Sequence, residues 1–201
     1  MRKILVWDLP VRLGHWLMVG GFLLAWATGE SERWRLLHVL AGGTVTAAAA
    51  YRLLWGIVGS RTARFADFVR GPREAAAYLK GLFTFAPRHY VGHNPAGGWA
   101  IVLLLALALA SGASGWLAYQ EIGGEWLEEF HEFLTGAMLA VVGVHVLGVL
   151  VGSLVHGENL VRAMVTGRKL GRPEEAIRGQ RLVAALMLLA WTAAAAWWLA
   201  R

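Results

Sequence analysis

Seven histidines, His15, His38, His89, His93, His131, His145 and His156, are the residues of this chain best suited to chemistry. An ionisable group inside an apolar run is costly and marks a functional site by default. His131 and His145 are 14 residues apart, which on an α-helix is about 1400° of rotation, roughly 40° short of four turns. Both therefore lie on one face, separated by about 21 Å along the axis. His15 comes early in one apolar run and His38 early in the next, which returns in the opposite direction. Depth alone then pairs His15 with His145 and His38 with His131. Two imidazoles fill both axial positions of a haem iron and leave none for oxygen or peroxide, which suits electron transfer. Two such sites are expected: an inner one on His15 and His145, and an outer one on His38 and His131.

Other readings of these residues stay open. His156, 11 residues after His145 and near the same face, is the rival for the inner site, although a histidine at a helix end needs no metal to explain it. His89 and His93 fall in a loop and read as non-ligands. A zinc site is conceivable, but membrane zinc sites usually enlist a carboxylate, and the interiors of the apolar runs hold none near these histidines. The chain has no cysteine, which excludes disulfides, thiolate metal sites, iron–sulfur ligation and covalent C-x-x-C-H haem attachment. Any haem is therefore held non-covalently. Arg52 follows His38 by 14 residues, so its guanidinium reaches the depth of the inner site, to meet a propionate or to stay at the interface. Gly42 lies one turn after His38, and Gly136, Gly143 and Gly148 flank the pair on the later helix; small residues there leave room for a flat macrocycle.

Elements of a particular kind must position these groups. The chain is 57% hydrophobic and 16% charged, against about 45–50% and about 25% in soluble domains. Five runs, about 13–29, 36–58, 98–119, 132–155 and 181–200, approach the roughly 20 apolar residues that cross a bilayer. The expected fold is an all-α membrane protein, a four-helix haem-binding bundle over residues 1–170 followed by a linker and fifth helix over 171–201. With the N-terminus inside, segments 1–12, 52–97 and 156–181 carry 16 Lys and Arg against six acids, whereas the outer segments carry three against seven. That asymmetry places the N-terminus in the cytoplasm and the C-terminus outside, and it accounts for the net charge of +6 without a nucleic acid. Asp8 is suited to cap the first helix, with Pro10 in its first turn. Asp8, Pro10 and Arg12 also interrupt the opening apolar segment, which is read as retained and not as a signal peptide. Within the inner loop 59–97, residues 72–83 suggest an interfacial helix with Tyr78, Leu79, Leu82 and Phe83 towards lipid. Trp116, Trp126, Trp197 and Trp198 suit an outer aromatic belt.

Several segments resemble the bacterial cytochrome b561 family, which includes the b-type cytochrome subunits of nickel–iron hydrogenases. They are Val6-Trp-Asp-Leu-Pro-Val-Arg-Leu-Gly-His15-Trp16, His38-x-x-x-Gly42, Arg52-Leu-Leu-Trp-Gly56, Gly92-His93-Asn-Pro-Ala-Gly-Gly98, Glu129-Phe-His131-Glu, His145-x-x-Gly148 and Glu158-Asn-Leu-Val-Arg-Ala-Met. The resemblance spans about residues 5–170 and implies two b haems on His15, His38, His131 and His145. It also implies exchange with the quinone pool and a redox partner outside, a hydrogenase-like enzyme or a cytochrome c. The expected function is respiratory electron transfer across the bacterial inner membrane, with quinone near His145 and Arg52 or Arg12 as polar contacts. The acidic outer segment, Glu121, Glu125, Glu128, Glu129 and Glu132, would steer a basic partner. The alternatives are a membrane anchor or assembly subunit of a redox complex and a stand-alone superoxide:quinone-type oxidoreductase. Homo- and hetero-oligomers are both compatible with the sequence.

Overall fold

A computed structural model describes residues 2–84 and 88–201. A short strand β1 (Arg2–Leu5) leads into α1 (Leu9–Thr28), and α2 (Arg35–Val58) returns antiparallel to it. The connecting segment holds two small helices, α3 (Phe65–Phe68) and α4 (Pro72–Phe83). Then come α5 (Pro95–Tyr119), the long α6 (Glu125–His156), α7 (Leu160–Thr166), strand β2 (Arg168–Gly171) and α8 (Leu182–Leu199).

Four helices, α1, α5, α6 and α8, are long and apolar enough to cross a membrane. The expected fifth span at 36–58 is a 24-residue helix, α2, that is not one of those four. Its composition explains the difference, because His38, Thr44, Thr46, Arg52 and two adjacent glycines dilute its apolar residues. Its position explains why it need not be more apolar: α2 packs against α1, α5 and α8. Ala41, Val45, Ala47, Ala48 and Ala49 are buried along it, the small side chains that let helices approach closely where hydrocarbon gives no hydrophobic drive. The side chain of Val45 and that of Ala49 join Leu105, Ala108 and Met138 in the core between α2, α5 and α6.

α8 is bound to α2 by polar contacts as well as by packing. Tyr51 Oη donates to the Ala184 carbonyl at 2.6 Å and Trp191 Nε1 to the Ala47 carbonyl at 2.9 Å. The expected division at residue 170 falls inside β2, whose residues pair with β1 in antiparallel register, Leu5 with Arg168 and Arg2 with Gly171. Among the described residues this ribbon is a short addition to a chain that is otherwise helical, as expected. Four-residue strands reading Arg-Lys-Ile-Leu and Arg-Lys-Leu-Gly carry too little apolar pattern to announce themselves, yet Ile4 and Lys169 are both buried. Ile4 joins Val6, Trp7, Val11, Ala63 and Ala163 in a second core at this end.

α4 occupies the expected residues, with Pro72 in its first turn. Leu79 is exposed as expected, but Tyr78 turns inward and lies against His156, with Oη 3.3 Å from Nε2. The Phe83 side chain lies outside the described residues.

Asp8 fixes the relation of α1 to α2. Its side chain is fully buried; Oδ1 accepts the Val11 N–H at 3.0 Å and Oδ2 the Trp55 indole N–H at 3.0 Å. Asp8→Ala loses the helix cap and leaves the indole donor unpaired, an expected destabilisation of about 2–4 kcal/mol. Thermal unfolding in detergent measures it, and Asp8→Asn, which keeps one acceptor oxygen, is expected to lose less.

Candidate functional site

α1 packs along α2 and α6 along α5, so histidines from the first pair of helices meet those of α6 across the bundle. At the end carrying the α1–α2 turn, the His38 and His131 rings stand 6.2 Å apart, centroid to centroid, nearly perpendicular. Each ring is held through Nδ1. His38 Nδ1 lies 2.8 Å from the Ala25 carbonyl on α1, and His131 Nδ1 lies 3.0 Å from the Ser111 carbonyl on α5. A carbonyl only accepts, so each Nδ1 carries the proton and donates, which leaves Nε2 as the lone-pair nitrogen. A carbonyl that accepts from Nδ1 in this way fixes the tautomer and the ring orientation of a metal-binding imidazole. The Ser114 hydroxyl, 3.1 Å from His131 Nδ1, itself donates to the Ser111 carbonyl at 3.1 Å.

α5 contributes to this site in a way that histidine spacing did not reveal. A Cβ on Gly115 would fall 2.7 Å from His131 Cε1, so the imidazole lies where only glycine leaves room. The run Ser111-Gly-Ala-Ser-Gly115 is the signal that marks it. A Cβ on Gly42, by contrast, would meet nothing within 4 Å, and the same holds for Gly136, Gly143 and Gly148. The space beside His38 is open on the side where a macrocycle was expected.

At the other end lie His15 on α1 and His145 on α6, both half-buried. Arg52 joins them from α2. Its side chain is buried, its guanidinium carbon lies 5.1 Å over the Phe65 ring and 5.8 Å over the Phe68 ring, and Nη1 is buried without a hydrogen-bond partner. His15 Nδ1 is likewise buried and unpartnered. Arg12 is engaged elsewhere, since it donates through Nη2 to the Val165 carbonyl of α7.

His93, read from sequence as a loop residue away from the site, sits among these groups. Its ring lies 4.4 Å from that of Trp7 and 4.5 Å from that of Phe68, and its Nδ1 is buried without a partner. Burial first, and then the Arg52 guanidinium, push its pKa well below the ordinary histidine range, so it is neutral. His156 lies apart, between Tyr78 and His89, with centroids 6.4 and 5.5 Å away.

A bundle of apolar helices that brings histidines from different helices together, in a chain without cysteine, suits a group held without covalent attachment. More specifically, the chain belongs to the prokaryotic cytochrome b561 family, whose profile matches residues 6–167. It is 24% identical to a probable Ni/Fe-hydrogenase B-type cytochrome subunit of Rhizobium leguminosarum bv. viciae, over 87% of this chain and 92% of that protein. The subunit described in the same words from Rhodobacter capsulatus is 23% identical over 83% of this chain and 81% of its own length. No solved structure matches the chain. The family implies a b-type haem, a multi-pass location in a bacterial membrane, and electron transfer there.

The residues present fit that group, on the tethered Nδ1 atoms of His38 and His131, the open space at Gly42 and the orphaned guanidinium of Arg52. Gly115→Ala pushes against the His131 ring and is expected to reduce the b-type absorbance per chain in purified protein. Gly71→Ala, where a Cβ meets open space before α4, is expected to leave it unchanged.

Proposed function

We propose that the chain conducts electrons across the membrane between a quinone at its basic end and a redox protein at its acidic end, through two non-covalent b haems. Each haem, when bound, supplies a one-electron carrier. The outer one would be held by His38 and His131 and the inner one by His15 and His145. The observation that carries this reading is the His38–His131 pair, two rings 6.2 Å apart and each tied through Nδ1, which leaves each Nε2 available as a ligand.

The protein's own groups would do three things at the inner site. His15 and His145 approach from α1 and α6 and set its depth. Arg52 offers an unpaired N–H to an acceptor, either a propionate or a quinone carbonyl, and His93 Nδ1 is a second unpaired polar atom beside it. Phe65, Phe68 and Trp7 surround these groups with apolar surface, which excludes water from them. Arg12, bonded to the Val165 carbonyl, is less free than Arg52 to serve as the contact.

α2 completes a five-span topology in this proposal, with residues 1–170 as the haem-binding unit and α8 as an addition. The basic end, with its excess of Lys and Arg, would face the cytoplasm, and the N-terminus with it. Glu121, Glu125, Glu128, Glu129 and Glu132 are exposed at the opposite end. They would face the periplasm and steer a basic partner such as a cytochrome c or a hydrogenase-like enzyme.

Haem content and reduced-minus-oxidised spectra test the reading. His131→Ala is expected to lower haem from two to one per chain, with the remaining haem still reducible by quinol. Retention of both haems in that variant would refute the pairing. A wild-type chain whose haem no quinol reduces would point instead to a membrane anchor. Arg52→Gln is expected to slow quinol-driven reduction by roughly tenfold or more while reduction by dithionite is unchanged, as followed by stopped-flow absorbance.

A further inference from the structure

A cleft of about 290 Å³ opens at the basic end, away from the histidine pairs. The segment joining α2 to α5 contributes Arg70, Arg88, His89 and Tyr90, and the segment after β2 contributes Arg172 and Glu175. The charges do not cancel. Glu175 is taken up by Arg172, accepting its backbone N–H at 2.8 Å and its Nη2 at 3.3 Å. Among the described residues Arg70 donates to the Asp67 carbonyl alone, at 3.0 Å, and the Asp67 carboxylate is paired with Arg64 at 2.8 Å. Arg88 has the Tyr90 ring beneath it at 5.8 Å and, among the described residues, no carboxylate partner. Two guanidiniums without carboxylates thus line a polar concavity, and guanidinium geometry matches phosphate oxygens in bidentate fashion.

The surroundings of the cleft indicate where such a phosphate comes from. Trp99, 44% exposed at the start of α5, donates its indole N–H to the Arg70 carbonyl at 2.9 Å. Indole rings with one apolar and one hydrogen-bonding side settle at headgroup level. α4, which follows Arg70 directly, exposes Leu79 and packs on α5, as a helix lying in the interface would. We propose that this cleft binds a phosphate group and that an anionic phospholipid headgroup supplies it; a soluble phosphate would be the other source of the same chemistry. The two connecting segments are thereby bridged through a lipid, independently of the haem assignment.

The test uses the full chain in phosphatidylcholine nanodiscs doped with phosphatidylglycerol, with retained lipid counted by native mass spectrometry. Wild type is expected to keep a phosphatidylglycerol that the double variant Arg70→Ala, Arg88→Ala binds roughly tenfold or more weakly. The charge-matched double variant Lys80→Ala, Arg162→Ala, at exposed positions outside the cleft, is expected to behave as wild type. Inorganic phosphate added to the lipid-free protein in detergent forms the second arm, read as a shift of the thermal midpoint. Protection by phosphate with no retained lipid would uphold the phosphate site and overturn the lipid as its source. Equal losses in both double variants, no loss in either, or binding of neither ligand by wild type would overturn the site itself.

Discussion

Hydrocarbon offers no hydrogen bonds, so every polar group within this bundle must find its partner inside the protein or keep an open valency for something else. Most of the polar side chains on the helices are settled locally. Thr28, Thr44, Thr46 and Thr192 each donate to a carbonyl four residues earlier, and Tyr51 and Trp191 reach carbonyls across the α2–α8 contact. The exceptions include Ser111 Oγ near His131 and Arg12 Nε on α1. Arg52 Nη1, His15 Nδ1 and His93 Nδ1 are buried and unpartnered together at one end. An unpaired buried donor typically costs about 1–3 kcal/mol, and a structure retains several in one place when an additional group is to satisfy them.

The same constraint explains why α2, the least lipid-like of the long helices, stands between the others. Protein on three sides lets it carry His38 and Arg52 along its length while its alanines pack α1, α5 and α8 closely around it. α6, by contrast, contributes His131 and His145 from a helix that is largely exposed outside its contact with α5. Much of its apolar surface, including Phe133, Val144, Leu147 and Leu154, is available to lipid or to a partner subunit. One shielded helix and one peripheral helix thus bring His38 and His131 together.

Histidine periodicity was legible in the sequence because the helical repeat is rigid: 14 residues return a side chain to nearly the same face at a known depth. That argument was enough to bring His38 opposite His131. It was not enough for His93, because a loop has no fixed period and nothing local says that its ring will wedge between Trp7 and Phe68. Gly115 was missed for a related reason, since its importance lies in the ring of another helix that rests on it. The inward turn of Tyr78 and the pairing of β1 with β2 likewise depend on contacts distant in sequence, where a pattern read locally carries little information.

The ribbon also has a consequence for the order of events during synthesis. β1 is made well before β2, and because Leu5 pairs with Arg168, α1 to α7 must all be synthesised before its partner exists. At ordinary elongation rates of about 5–20 residues per second, the first strand waits roughly ten to thirty seconds. Insertion of α1 into the bilayer can proceed meanwhile, with Asp8 already capping it. The clasp at the basic end then closes late, over a bundle whose helices have had time to assemble.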